Sequence, residues 1–350
     1  MTRWWLVVGL LMLAAAPLAA QDETMTLTVV AHDSFAYSED VMQAFTDETG
    51  IGVEVLRLGD TGTMVNQLIL TRDVPLGDVV YGVDNTFLSR ALEAELFVPY
   101  ESPALEGVPE DFILDSQSRV TPVDYGDVCL NYDVTYFIAN DTTPPESLAE
   151  LTRPPFRGLL VVENPATSSP GLAFLLATIG VFGEEGDYTY LDYWADLVEN
   201  DVLVVDDWTT AYSVEFSGST GSQGTRPLVV SYASSPPVEV FFMEEPPEQA
   251  PTAAVVADDT CFRQIEFAGI LQGTQNEDAA RQFIDFLLSR EFQEDMPLNM
   301  FVYPVNPEAQ LPDVFTEFSS VPDAPILLDP AEIDANRERW IQEWTETVLR

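Results

Sequence analysis

The stretch Asn164-Pro-Ala-Thr-Ser-Ser-Pro-Gly-Leu172 gathers hydroxyls, a proline and a glycine between two apolar runs, Leu159 to Val162 and Leu172 to Ile179. It reads as a strand, a turn and a helix, with Ser169 placed to cap the helix and Pro170 in its first turn, where a missing N–H costs nothing. The amides left free at such a helix start suit a phosphate, a carboxylate or the polar end of a ligand. A second set of residues has complementary chemistry. Trp208, Tyr212, Tyr232 and Phe301 fall in or beside turns, and aromatic faces near carboxylates such as Asp60 and Asp84 stabilise organic cations. Together with Ser168 and Ser169 they describe a cleft that stacks a flat cationic ligand and grips its polar tail.

Catalytic constellations are weaker. The single histidine, His32, stands next to Asp33, but no Gly-x-Ser-x-Gly elbow accompanies it. Gly59-Asp-Thr-Gly62 lacks the glycine and lysine spacing of a phosphate loop. Asp206-Asp207 is a carboxylate pair, but 59 acids make such pairs common by chance. An exported hydrolase using His32 or an acid pair is therefore the enzyme alternative to a binding protein. No metal or cofactor site is expected. Cys129 and Cys261, the two cysteines, either pair, closing a loop worth nominally ~4 to 5 kcal/mol, or stay as buried thiols.

The elements that must position these residues follow from pattern. Met-Thr-Arg-Trp-Trp, an apolar run and Ala14-Ala-Ala-Pro-Leu-Ala-Ala20 read as a secretory leader over residues 1–20, which predicts an exported, soluble mature chain. The roughly 330 residues that remain favour two lobes. The formal charge is -45 and all 14 basic residues are arginine, a field that excludes nucleic acid and anionic membranes as partners.

Strands are predicted at Thr26 to Ala31, Val53 to Leu58 and Asp78 to Val83, each leading through a polar turn into a helix, so a mostly parallel sheet is expected. Ligands of such sheets bind at the carboxyl ends of the strands, where His32, Asp33, Asp60 and Asp84 fall. Extended segments near Tyr125 to Tyr132 and Phe262 to Leu271 read as crossings between lobes. The helix from Pro330 to Leu349 carries Trp340 and Trp344 on one face, suited to core packing.

Asp33-Ser-Phe35, Val83-Asp-Asn85, Asp124-Tyr-Gly126, Thr167-Ser-Ser-Pro-Gly-Leu172, Trp208-Thr-Thr-Ala-Tyr212, Ser231-Tyr-Ala-Ser-Ser-Pro236, Tyr303-Pro-Val305 and Arg339-Trp-Ile-Gln-Glu-Trp344 together carry a resemblance. The chain resembles the periplasmic thiamine-binding proteins of ABC importers, over nearly its whole mature length. That resemblance implies an α/β, type II periplasmic-binding-protein fold, with residues 25–124 and 262–350 in one lobe, 125–261 in the other, and hinge strands at both junctions. It implies a monomeric, extracytoplasmic solute-binding protein that holds thiamine or a thiamine phosphate between the lobes and delivers it to a permease and its ATPase. By position, Trp208 and Tyr232 match aromatic ligand contacts, Asp60 an acidic one and Ser168 a hydroxyl one, while Phe301 stands where the family has tryptophan. His32 replaces a tyrosine, and Val238 stands where another aromatic is expected. Another small cationic or oxyanionic solute is the alternative ligand.

Overall fold

The computed structural model describes residues 25–350 apart from 244 and 246; the leader expected over residues 1–20 lies outside the described residues. The strands are β1 (Thr26–Ala31), β2 (Gly52–Arg57), β3 (Val79–Asp84), β4 (Phe97–Val98), β5 (Thr121–Asp133), β6 (Leu160–Glu163), β7 (Leu203–Val205), β8 (Leu228–Tyr232), β9 (Thr252–Val255), β10 (Phe262–Leu271) and β11 (Tyr303–Pro304). They form one continuous sheet with the path β2-β1-β3-β10-β5-β8-β6-β7. The two flanks, β2-β1-β3 and β8-β6-β7, are parallel, as strand-turn-helix units require. Between them β10 and β5 run antiparallel, to each other and to the flanking β3 and β8.

β1 lies within the parallel flank, and from Val29 to Ala31 it is buried whichever face a residue takes, which is why its sequence is a β-branched run. Its following helix, Glu39–Thr49, is capped by Ser38, which accepts from the Val41 amide, and stops at Gly50 with φ 72°.

β5 is the structural bridge. Its first half, from Thr121 to Val128, pairs with β10, and its second, from Val128 to Asp133, pairs with β8 and β9. One unbroken strand therefore carries the chain from one lobe into the other. Cys129 on β5 is disulfide-bonded to Cys261, the residue just before β10, with Cα atoms 4.3 Å apart, so the two crossing strands are fastened side by side.

Each lobe has its own core. In the first, Phe35, Phe45, Phe283 and Phe292 cover one face of β1 and β3, and Met64, Val65, Leu68 and Leu88 cover the other. In the second, the helix Ser169–Phe182 is buried on nearly every side against β6 and β8, beneath Trp194 of the helix Tyr190–Glu199. The helix Pro330–Val348 corrects one expectation. Expected with the first lobe, it seats Trp340 and Trp344 in the second core, Trp344 edge-on to Trp194 at 5.4 Å, because the apolar stripe fits beside the helix Tyr190–Glu199.

Other differences are local. The cap of the buried helix is Ser168 rather than Ser169, which begins the helix. Pro236 and Pro237 lie in the first turn of the helix Ser235–Phe241, where proline is tolerated. No helix among the described residues is long and apolar enough to cross a membrane.

Candidate functional site

The carboxyl ends of β1, β2 and β3 bring His32, Asp60 and Asp84 to one edge of the first lobe, and β10 and β5 extend that edge with further acids. In register, Asp84 lies opposite Glu266 on β10, and Glu266 lies opposite Asp124 on β5. Three carboxyls thus stand in a row across three adjacent strands. His32 meets this row at Glu266, Nε2 to Oε1 3.1 Å. Its ring lies over Gly82, where an added Cβ would come within 2.1 Å of His32 Cδ2 and where φ is 91°. Only glycine leaves that space.

Tyr232 approaches from the second lobe in a similar way. Its ring covers Gly126 of β5, where an added Cβ would lie 2.8 Å from Cδ1. The Tyr232 hydroxyl donates to Gln264 Oε1 at 3.0 Å, and Gln264 Nε2 donates to Asp84 Oδ2 at 2.7 Å. The same Asp84 oxygen accepts from Ser169 Oγ at 3.0 Å, while its other oxygen takes the Thr86 amide and hydroxyl. A polar chain therefore runs from Tyr232 through Gln264 to Asp84 and on to Ser169, crossing between lobes twice.

Asp60 caps the helix Thr61–Leu70 by accepting from the Gly62 amide, and its carboxyl also faces the Ser169 amide of the opposite lobe. Burial pushes it up to about 6, with Asp84 adding to the rise and the two amides and His32 opposing it. Asp84 is raised by burial first, although Thr86 and Gln264 donate to it. Asp124 is far above the carboxylate range because it is buried beside Glu266, and the Tyr81 hydroxyl donates to it. Burial lowers His32, but the carboxylates of Glu266, Asp60 and Asp84 together outweigh it and the net direction is upward. The site is anionic, with one ring able to carry a compensating proton.

Trp208 closes the side of the second lobe. Its indole N–H donates to Ser231 Oγ at 2.9 Å, and one face stacks on Tyr212 at 5.0 Å between centroids, leaving the indole half-exposed. Tyr212 is behind it, 3% exposed in a small core with Val161, Phe216 and Val229, so it braces Trp208 instead of facing a ligand. Phe301 adopts φ 55° at the rim, where its carbonyl accepts from Ser234 and its ring neighbours Phe241, Phe242 and Phe315. Asp33 is exposed and exchanges hydrogen bonds with Gly59, tying the β1 and β2 ends together without joining the acid row.

The structure adds residues that pattern reading passed over. Gln264 and Glu266 complete the network from the return strand. Their signal was two polar side chains at i, i+2, next to Arg263, in a strand that is apolar from Phe267 on. Glu163, at the end of β6, is fully buried with neither carboxyl oxygen partnered, and burial raises it far above its ordinary value. Ser168 Oγ, beside it in the turn, is also buried and unpartnered.

Carboxyls of one lobe therefore meet an aromatic ring and a helix start of the other at the junction between the two α/β lobes. The profile of the family described as "Bacterial extracellular solute-binding protein" matches residues 75–317, and the chain belongs to that family. It is 29% identical to the thiamine-binding periplasmic protein of Escherichia coli (strain K12), covering 97% of this chain and 98% of the relative. The thiamine-binding periplasmic protein of Brucella suis is 26% identical over 98% of this chain and 96% of its own length. Among solved structures, a periplasmic thiamin binding protein superposes with a TM-score of 0.78 at 28% identity, covering 93% of this chain and 96% of that one. Iron-bound HitA from Pseudomonas aeruginosa shares the fold, with a TM-score of 0.73 at 20% identity over 92% of this chain and 99% of that one.

Proposed function

We propose that this chain captures thiamine for an ABC importer, with residues 125–261 forming most of the second lobe, and that it acts as a monomer making and breaking no bond. The observation that carries the reading is the chain of hydrogen bonds from the Tyr232 hydroxyl through Gln264 to Asp84, with Glu266 opposite Asp84 on β10. A flat ring with a fixed positive charge gains both from the aromatic faces and from the carboxylates. Trp208 and Tyr232 stack the rings, Asp60 and Asp84 accept the ligand's N–H donors and balance its charge, and Ser168 receives the hydroxyethyl end.

Closure follows from the same contacts. Ser169 on one lobe already donates to Asp84 on the other, and a ligand that supplies further partners to Asp60 and Asp84 favours the closed form. A permease and its ATPase would read that closed form. For the hydrolase alternative, His32 meets Glu266, and among the described residues no hydroxyl is hydrogen-bonded to its ring.

Isothermal calorimetry with thiamine, choline and spermidine tests the ligand. Thiamine is expected to bind with the other two at least about a hundredfold weaker. Saturable binding of choline or spermidine in place of thiamine would move the assignment to another cationic solute.

A further inference from the structure

We propose that Arg337 of the helix Pro330–Val348 is a positioning residue for the paired acids Asp60 and Asp84, acting on them through Phe87 and Thr86. Its part in binding rests on those two carboxyls as the ligand's acceptors. The helix buries Ile333, Arg337, Trp340 and Trp344 along one stripe, and Arg337, 3% exposed, is the charged residue among them. Taking a guanidinium out of water is costly unless it is well partnered, so a position needed for packing alone would be better filled by leucine or methionine. The partners of Arg337 belong to the other lobe. Trp340 and Trp344 sit in the second core, whereas Arg337 Nη1 donates to the Thr86 carbonyl of the first lobe at 3.0 Å, and its guanidinium carbon lies 4.9 Å from the centre of the Phe87 ring. The acids nearest to it, Asp334 and Glu338, are on its own helix and looser, at 3.7 Å each.

Both first-lobe contacts lead to an acid. Thr86 donates its amide to Asp84 Oδ1 at 2.8 Å and its hydroxyl to the same oxygen, and the Phe87 amide closes the turn on the Asp84 carbonyl at 3.0 Å. The tip of the Phe87 ring rests on Gly62, where an added Cβ would lie 2.9 Å from Cζ, and the Gly62 amide is the donor that meets Asp60 at 3.3 Å. One guanidinium thus fixes the carbonyl of the residue that holds Asp84 and the ring that packs on the residue that holds Asp60. A planar cation suits this double task, since it hydrogen-bonds along its edge and stacks through its face. Because its helix is anchored in the second core, the setting of two first-lobe acids depends on how the lobes are seated against each other.

Arg337→Ala, Arg337→Lys and, as a control on the same helix, Arg339→Ala are compared with the parent by calorimetry with thiamine and by carboxyl-carbon NMR titration of ligand-free Asp60, at a temperature where circular dichroism shows each to be folded. Arg339 hydrogen-bonds Glu184, Asn336 and Glu343, on the second lobe and its own helix. In Arg337→Ala water reaches Phe87 and Gly62, so the Asp60 midpoint, pushed up to about 6 by burial, is expected to fall toward the ordinary carboxylate range, and thiamine binding to weaken about tenfold or more. Arg337→Lys restores a cation over Phe87 and a donor for Thr86 and should recover part of both, while Arg339→Ala should change neither. Should Arg337→Ala not fold, Phe87→Leu, which lifts the ring from Gly62, carries the same two readouts with the same expected direction. An unchanged Asp60 midpoint in the folded variant overturns the proposal, and so does an unchanged affinity where the parent binds thiamine. If the parent binds no thiamine while the Asp60 midpoint moves as expected, the thiamine reading falls and the positioning of the acids stands.

Discussion

Ser169 Oγ donates to Asp84 Oδ2 at 3.0 Å across the two lobes, joining the first residue of the most buried helix to the last residue of β3. Both are almost inaccessible, so the bond is made in a setting where a hydrogen bond to a carboxylate is worth about 1.5 to 3 kcal/mol. Ser169→Ala removes this link and leaves Asp84 its donors from Thr86 and Gln264. The ligand-free protein should then open, with its radius of gyration in small-angle scattering rising toward the value of an extended hinge. An unchanged radius, with unchanged ligand affinity, would show that the bond does not govern closure.

Asp60 is a liability that the site requires. Its carboxyl is pushed up to about 6 by burial, so between about pH 4 and 6 the folded chain holds a proton that the unfolded chain has released, and stability falls as pH rises through that window. Asp60→Asn should therefore raise stability at pH 7.5 by up to about 3 kcal/mol, read by urea unfolding, while thiamine affinity drops about tenfold or more. In the parent protein, affinity for a cationic ligand should decline as pH falls below about 6. A variant that loses stability at pH 7.5 would contradict this account.

Four tryptophans lie among the described residues, and Trp194, Trp340 and Trp344 are all fully buried in the second core. Trp208 alone is positioned to sense a ligand. Any ligand-induced change in intrinsic fluorescence should vanish in Trp208→Ala, with affinity lowered about ten- to a hundredfold by the loss of one stacking face. If the signal persists in that variant, the ligand does not stack where proposed.

Glycines in the cleft floor offer a sharper probe than the acids themselves. Gly82→Ala would drive a methyl into the His32 ring and impose a side chain at φ 91°. Binding should be lost together with about 1 to 3 kcal/mol of stability. Gly126→Ala touches only the Tyr232 ring, at 2.8 Å, in a backbone conformation open to any residue, so affinity should suffer more than the melting temperature. Equal damage to both properties in Gly126→Ala would argue that Tyr232 is a packing residue.

The Cys129–Cys261 disulfide closes a loop with a sequence separation of 132, which in the chain-entropy description contributes about 5 kcal/mol. Replacing both cysteines by serine should lower the urea midpoint accordingly. The crossing strands remain paired through β5 and β10, so ligand binding should survive at temperatures where the variant is folded.

Most of the fold was legible because its signals are local. β1 and β10 lie where β-branching and alternation placed them, and β2 and β3 within one residue of their expected bounds. The site was legible only at the strand ends. His32, Asp60 and Asp84 followed from the rule that parallel strands present ligands at their carboxyl ends. Gln264 and Glu266 did not, because they reach the cleft from an antiparallel strand some 180 positions away, and only pairing with β3 and β5 aligns them. Tyr212 was misjudged for the opposite reason: an aromatic close to a turn can still point inward, and its four-residue offset from Trp208 put it underneath.

The seating of Trp340 and Trp344 beside Trp194 bears on the order in which the chain can mature. A lobe whose largest interior side chains come from opposite ends of the sequence's second half has no complete interior while only its earlier portion exists. The helix Pro330–Val348 is thus the last part of the chain, in sequence order, to supply the interior of the second lobe.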